Sequence, residues 1–161
     1  TGKRGNGLSY TDGSNNKINI GSNLPSATSF TLSCWVKPSS LGHHFPMFGT
    51  IGEDTFFTYN GTGSLLSLES TPPYQASAFT YTGVSDVWQH ILITVTPTQK
   101  VLYVNGLIKE TINDTKIYNL NNIFTIAGQN SLINDEGIAD DFIIYDRVLN
   151  AQEIQNISMD Y

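Results

Sequence analysis

Residues 88–110, WQHILITVTPTQKVLYVNGLIKE, constrain the fold more than any other stretch of the chain. From Trp88 to Thr96, Ile91, Ile93 and Val95 alternate with His90, Leu92 and Thr94, the period of two expected of a strand buried mainly on one face. Pro97 stops that strand because it donates nothing to a ladder. A second run, Val101 to Val104, meets Asn105-Gly106, which tolerates positive φ at both centres of a type I′ turn. The chain then returns as Leu107-Ile108-Lys109-Glu110. Two adjacent antiparallel strands are therefore specified locally.

Short strands separated by turn chemistry account for most of the remainder. Phe30, Leu32, Cys34 and Val36 share one face of a strand over 30–37, leaving Thr31, Ser33, Trp35 and Lys37 on a half-wet face. Shorter strands are predicted at 47–50, 55–59, 65–68, from Phe79, at 124–128 and at 142–145. Breaker-rich loops run from Pro38 to Pro46 and from Glu69 to Tyr74, the latter around Pro72-Pro73. Gln129 to Gly137 is a further loop, leading to the acidic pair Asp140-Asp141. Asn150 and Glu153 have the spacing of a capping box, with Leu149 and Ile154 as its hydrophobic staple, so one short helix closes the chain. Internal repeats and heptads are absent, which excludes a solenoid or coiled coil.

Three segments carry a family resemblance: Phe30-Thr-Leu-Ser-Cys-Trp-Val-Lys-Pro38, the Trp88-x-His90 strand with Leu102-Tyr-Val-Asn-Gly106, and Asp140-Asp-Phe-Ile-Ile-Tyr-Asp-Arg-Val-Leu149. In order and spacing they resemble the laminin-G-like group of concanavalin A-like domains. Leu8-Ser-Tyr-Thr-Asp-Gly-Ser-Asn15 resembles the group's opening strand and turn. The resemblance implies an all-β, two-sheet antiparallel jelly-roll sandwich with one short C-terminal helix. On this reading residues 8–161 form one domain, and residues 1–7 are a linker or processed edge. Such folds host many unrelated functions.

Size and charge narrow the choice. The chain has 161 residues, enough for one domain to bury roughly 70 % of its unfolded surface. Its single cysteine, Cys34, cannot form an internal disulfide and suits a buried, inert thiol. The formal charge is −6 and the eight Lys and Arg are scattered, which argues against nucleic acid and against an anionic membrane surface as partner. No apolar run approaches the 18 or so residues of a spanning helix, so membrane insertion is not expected.

Where chemistry resides is less determined. The resemblance places Asp140 at the family's last long strand and Asp12 in its opening turn. If those strands adjoin, the two can contribute to the six to eight or so oxygens of a structural Ca²⁺ site. The plainer role is an Asx turn at Asp12 and a strand-end carboxylate at Asp140. His43 and His44 lack a partner at zinc-ligand spacing, and His90 suits a packed, hydrogen-bonded side chain. The Glu-x-Asp-x-x-Glu arrangement of concanavalin A-like glycoside hydrolases is missing, and the five glutamates fall in loops, near turns or on the helix. No Gly-x-Ser-x-Gly elbow occurs.

Aromatic faces beside amide and carboxylate side chains suit a sugar better. The candidates are His43, His44, Phe45, Asp54, Tyr59, Tyr74, Gln129 and Asn130, with Trp35 and Trp88 assigned to packing. The expected function is non-catalytic binding of a glycan or surface polysaccharide by a module exposed outside a cell or on a virion, within a larger protein or assembly. The alternative is a structural or protein-interaction domain such as a capsid decoration or fibre head.

Overall fold

The computed structural model describes residues 2–3, 5–10, 18–21, 23–39, 45–50, 55–60, 65–70, 75–126 and 137–159. Among these, two six-stranded antiparallel sheets face each other. The first runs β1 (Leu8–Tyr10), β12 (Gly137–Tyr145), β3 (Phe30–Pro38), β8 (Gln89–Val95), β9 (Gln99–Val104), β10 (Leu107–Asn113). The second runs β2 (Ile18–Asn19), β11 (Ile123–Ile126), β4 (Phe45–Thr50), β5 (Thr55–Asn60), β6 (Leu65–Ser70), β7 (Gln75–Thr82). The predicted alternation fills the space between them. Phe30, Leu32, Cys34, Val36, Ile91, Ile93 and Val95 from the first sheet meet Phe57, Leu66, Leu68 and Phe79 from the second. Burial pushes the Cys34 thiol pKa up, so this residue packs as a small hydrophobe.

The hairpin forms where its turn chemistry predicts. Asn105 and Gly106 take φ of 51° and 77°, and Leu107 pairs with Val104. Asn105 also ties the turn to β8, its N–H donating to the His90 carbonyl and its Oδ1 accepting from the His90 N–H, both at 2.9 Å.

One expectation needs correcting. The second face of β3 is not half-wet: every residue from Phe30 to Pro38 except Lys37 is buried, and β8 is buried throughout. Two segments cover that outer face: the approach to the terminal helix α1 (Ala151–Met159), which meets Thr31, and the N-terminal segment whose Lys3 lies over Trp35. There Leu149 and Ile154 join Leu92 in a second small core, flanked by Tyr103, Tyr145 and Ile157. Thr31 fixes the approach to the helix: its Oγ1 donates to the Arg147 carbonyl at 2.9 Å and accepts from the Leu149 N–H at 3.1 Å. The capping box closes as its spacing predicts, with Glu153 N–H on Asn150 Oδ1 (3.0 Å) and Asn150 N–H on Glu153 Oε2 (2.8 Å).

Side chains clasp one flank of the sandwich. Glu110 on β10 reaches edge strand β7, where its Oε2 accepts from the N–H (2.6 Å) and Oγ1 (2.8 Å) of Thr80. Lys116 donates to the Ala76 carbonyl on the same edge. Backbone groups that would otherwise template another strand are thus occupied. Inside this flank Lys100 is fully buried and pairs with Asp114, while its Nζ also donates to the Lys116 carbonyl at 2.6 Å. Ser77 donates to Asp114 Oδ2 (2.6 Å) and shares a hydrogen bond with the Tyr118 hydroxyl (2.8 Å). The Lys100 hydrogen bond and charge, with the Ser77 hydroxyl and Lys116 N–H, outweigh partial desolvation and hold the Asp114 pKa below the usual carboxylate value.

Candidate functional site

The outer face of the first sheet is closed by packing. Beside α1, Trp35 and His90 stack with ring centroids 5.2 Å apart, and the Lys3 ammonium sits 4.4 Å above the Trp35 ring. His90 Nε2 lies 2.7 Å from Ser33 Oγ, the packed and hydrogen-bonded role its sequence position suggests. The segment carrying Lys3 folds tightly, Gly2 N–H donating to the Gly5 carbonyl at 2.9 Å. A Cβ on Gly2 would lie 2.2 Å from Gly7 N and 2.4 Å from Asp140 Oδ2, so only glycine fits.

Asp140 is placed inside β12, where the chain was expected to be still emerging from a loop. Antiparallel β1 does lie beside β12, pairing Leu8 with Ala139 and Tyr10 with Gly137. As β1 runs towards Asp12 it therefore moves away from Asp140. Asp12 itself lies outside the described residues. A bulge follows Asp140, with Asp141 at φ 49° and its N–H donating to Asp140 Oδ1 at 3.0 Å. Asp141 Oδ2 is buried without a hydrogen-bond partner among the described residues. These carboxylates have the hard-oxygen chemistry of a Ca²⁺ ligand. Among the described residues, however, no three His, Cys, Asp or Glu gather as a metal site.

The second sheet presents a different outer face, on which no described helix packs. Leu66, Leu68 and Phe79 point into the core, so the opposite parity of β6 and β7 carries Ser67, Glu69, Ala76, Ala78 and Thr80 outward. Register sets Ser67 beside Ala78 and Glu69 beside Ala76. Ser67 is only 2 % exposed and donates to Glu69 Oε1 at 2.7 Å. Register thus sets a hydroxyl–carboxylate pair beside two alanines on this outward face, with the Glu69 carboxylate able to accept from hydroxyl groups.

Of the residues predicted to touch ligand, Phe45 and Tyr59 become direct cross-strand partners on β4 and β5. His43, His44, Asp54, Tyr74, Gln129 and Asn130 lie outside the described residues. The strand ends leading to 43–44 and to 129–130 fall at one end of the second sheet, together with Phe45 and Tyr59. Those leading to 54 and to 74 fall at the other end, about 20 Å away for strands of this length. Ser67 and Glu69 were missed because Glu69 was read as loop, whereas β6 extends through Ser70. Their alternation with Leu66 and Leu68 is visible in the sequence; their alanine neighbours come from pairing with β7.

A family model described as the concanavalin A-like lectin/glucanases superfamily, of laminin-G type, matches residues 12–155. The chain belongs to this laminin-G-like family. No curated protein sequence matches it at a significant level. Among solved structures, domain 4 of an extracellular arabinanase from Geobacillus stearothermophilus, in complex with arabinotriose, superposes with a TM-score of 0.73 at 19% identity, covering 98% of this chain and 79% of that one. The binding domain of Paraclostridial Mosquitocidal Protein 1 gives 0.69 at 19% identity, over 99% of this chain and 44% of the other. The ligand-binding domain of botulinum neurotoxin serotype D, in complex with N-acetylneuraminic acid, gives 0.60 at 19% identity, over 88% and 39%. The laminin-G-like chain thus spans about four-fifths of the first and under half of the other two. At these identities the likeness establishes the shared sandwich.

Proposed function

We propose that this laminin-G-like domain is a non-catalytic carbohydrate-binding module, displayed on a cell or virion surface as part of a larger protein. The observation that carries the reading is the second sheet's outer row, where Ser67 and Glu69 stand beside Ala78 and Ala76. The Glu69 carboxylate there accepts from sugar hydroxyls, and the small alanine side chains leave the strand surface beside it open. Solved relatives of this fold carrying arabinotriose and N-acetylneuraminic acid support the same reading. Isothermal titration with a glycan panel tests the proposal: the wild type binds saturably, and Ser67→Ala and Glu69→Ala weaken binding at least several-fold in samples that still melt cooperatively. Unaltered affinity in both variants would remove the second sheet's face as the site.

Calcium is proposed as a structural ion at Asp140 with Asp141, favoured by the orphaned Asp141 oxygen and the left-handed backbone that aims it. Asp12, the other ligand the sequence suggested, lies outside the described residues, and β1 runs away from Asp140 as it approaches that position. An EDTA-stripped sample should gain melting temperature on adding Ca²⁺, and Asp141→Asn should lose that gain. Identical melting curves with and without the ion would rule it out.

A structural or protein-interaction domain, such as a capsid decoration or fibre head, is the second reading. It is favoured by Leu107 and Ile108, 65% and 64% exposed, which with Tyr103, Ala151 and Gln155 line a groove of about 270 Å³ between the hairpin and α1. Sedimentation equilibrium decides it for self-assembly: an oligomer dispersed by Leu107→Ser would favour this role, and a monomer at all concentrations would count against it.

A further inference from the structure

We propose that Asn105, at the tip of the β9–β10 hairpin, is a deamidation site that the fold holds closed, and that its isoaspartyl product unfastens the hairpin from β8. Three Asn-Gly pairs occur in the chain, Asn6-Gly7, Asn60-Gly61 and Asn105-Gly106. Such a pair is chemically labile because glycine sets no side chain in the way of its own backbone nitrogen. The Gly106 nitrogen loses its proton to solvent hydroxide and attacks Asn105 Cγ. The N–Cγ bond forms, the Cγ–Nδ2 bond breaks, and ammonia departs to leave a five-membered succinimide. Water then opens the ring at Cγ, giving aspartate, or at the main-chain carbonyl carbon of residue 105, giving isoaspartate with its backbone routed through the side chain. Asn105 is exposed, so hydroxide and water reach it.

The folded geometry opposes ring closure. Asn105 and Gly106 take φ of 51° and 77° as the two centres of the type I′ turn. In such a turn the Gly106 nitrogen lies across the Asn105 Cα–C bond from Cβ, so attack requires it to swing round to the side chain. The side chain is itself held: Oδ1 accepts from the His90 N–H at 2.9 Å, and the Asn105 N–H donates to the His90 carbonyl at 2.9 Å. Attack on Cγ turns the amide off the first of these bonds. Gly106 also has little room to move against α1, since a Cβ there would collide with the Ser158 hydroxyl and lie 4.0 Å from Gln155 Cα. Conversion therefore passes through molecules whose hairpin tip has opened, and its rate follows the open population. The two products differ in what they leave behind. Aspartate keeps an acceptor at Oδ1 for His90 and tolerates the left-handed backbone. Isoaspartate adds a carbon to the main chain inside a two-residue turn, which displaces Leu107 from Val104 and breaks both bonds to His90.

The experiment incubates the full chain in mildly alkaline buffer, folded in one sample and unfolded in urea in the other. Conversion at Asn105 is followed by peptide mapping with mass spectrometry and by methylation with an isoaspartyl methyltransferase. A synthetic peptide of residues 103–109 in both buffers corrects for the effect of urea on the chemistry itself. Asn105 should convert in the unfolded chain, and at least about ten-fold more slowly in the folded one. The isoaspartyl species from the urea sample, separated by the carboxylate it has gained and refolded, should melt below the unmodified protein and exchange the His90 N–H faster. Asn105→Asp, which carries the same charge on an unaltered backbone, should melt close to the unmodified protein. Equal corrected rates in the folded and unfolded chains, or no conversion in the unfolded one, overturn the inference. An isoaspartyl species that melts with the unmodified protein also overturns it, as does an Asn105→Asp variant destabilised as much as that species.

Discussion

His90 is the residue whose chemistry depends most on its surroundings. Burial strips solvent from the imidazolium and lowers its pKa from the ordinary 6.5 to about 4. The unfolded chain therefore takes up this proton near pH 6.5 and the native chain near pH 4. Between those values the unfolded state binds more protons, so His90 adds stability above pH 6.5 that is lost as pH falls towards 4. The interval of 2.5 units, 6.5 less 4, corresponds to about 3 kcal/mol. Asp114 and Glu153, with pKa values held low, lose their own contributions at lower pH still. Urea midpoints between pH 7 and 4 should consequently fall in the wild type and much less in His90→Gln. Parallel curves for the two proteins would show that His90 does not set this limb.

At the scale of elements, α1 is a nine-residue helix too short to persist alone in water. It is held by its capping box, by Thr31 and by the small core around Leu92. Leu92→Ala should cost about 2–4 kcal/mol through the lost contacts and the cavity left behind. Its signature is regional: amide exchange should accelerate through 151–159 while β3 and the core-facing residues of β8 stay protected. Uniform acceleration would mean that the helix and the sandwich unfold as one unit. The hairpin makes a contrasting case. Its turn is specified within Asn105-Gly106, yet Asn105 also bonds both backbone groups of His90, so a local signal doubles as a tertiary tie.

For the molecule as a whole, the flank closed by Lys100 is the most sensitive point. An ammonium with no exposed side-chain surface is tolerated because Asp114 and the Lys116 carbonyl receive it. Asp114→Ala strands that charge and should destabilise the domain by about 3–5 kcal/mol, lowering the melting temperature by about 10 °C or more. Lys100→Met combined with Asp114→Ala should recover much of the loss, because the buried charge has gone. A double variant as unstable as Asp114→Ala alone would place the cost in the lost Ser77 and Lys116 bonds instead. The same flank joins the sheets from outside through Glu110 and Lys116, which also blunt the β7 edge.

What the chain encodes locally was legible in full: the period of two in Ile91, Ile93 and Val95, the Asn105-Gly106 turn, and the Asn150–Glu153 box all depend on neighbours within a few positions. Their order along the chain also carried the family. Three features needed the tertiary structure. The outer face of β3 is buried because the segment leading into the terminal helix, more than a hundred residues later, meets Thr31 and the N-terminal Lys3 lies over Trp35. Asp140 sits at a bulge because β12 must keep register with both β1 and β3. Ser67 and Glu69 gain their small neighbours only when β7 sets Ala78 and Ala76 beside them. Each arises from strand pairing or packing between distant segments, and alternation specifies which side of a strand is apolar without specifying what will lie against the other.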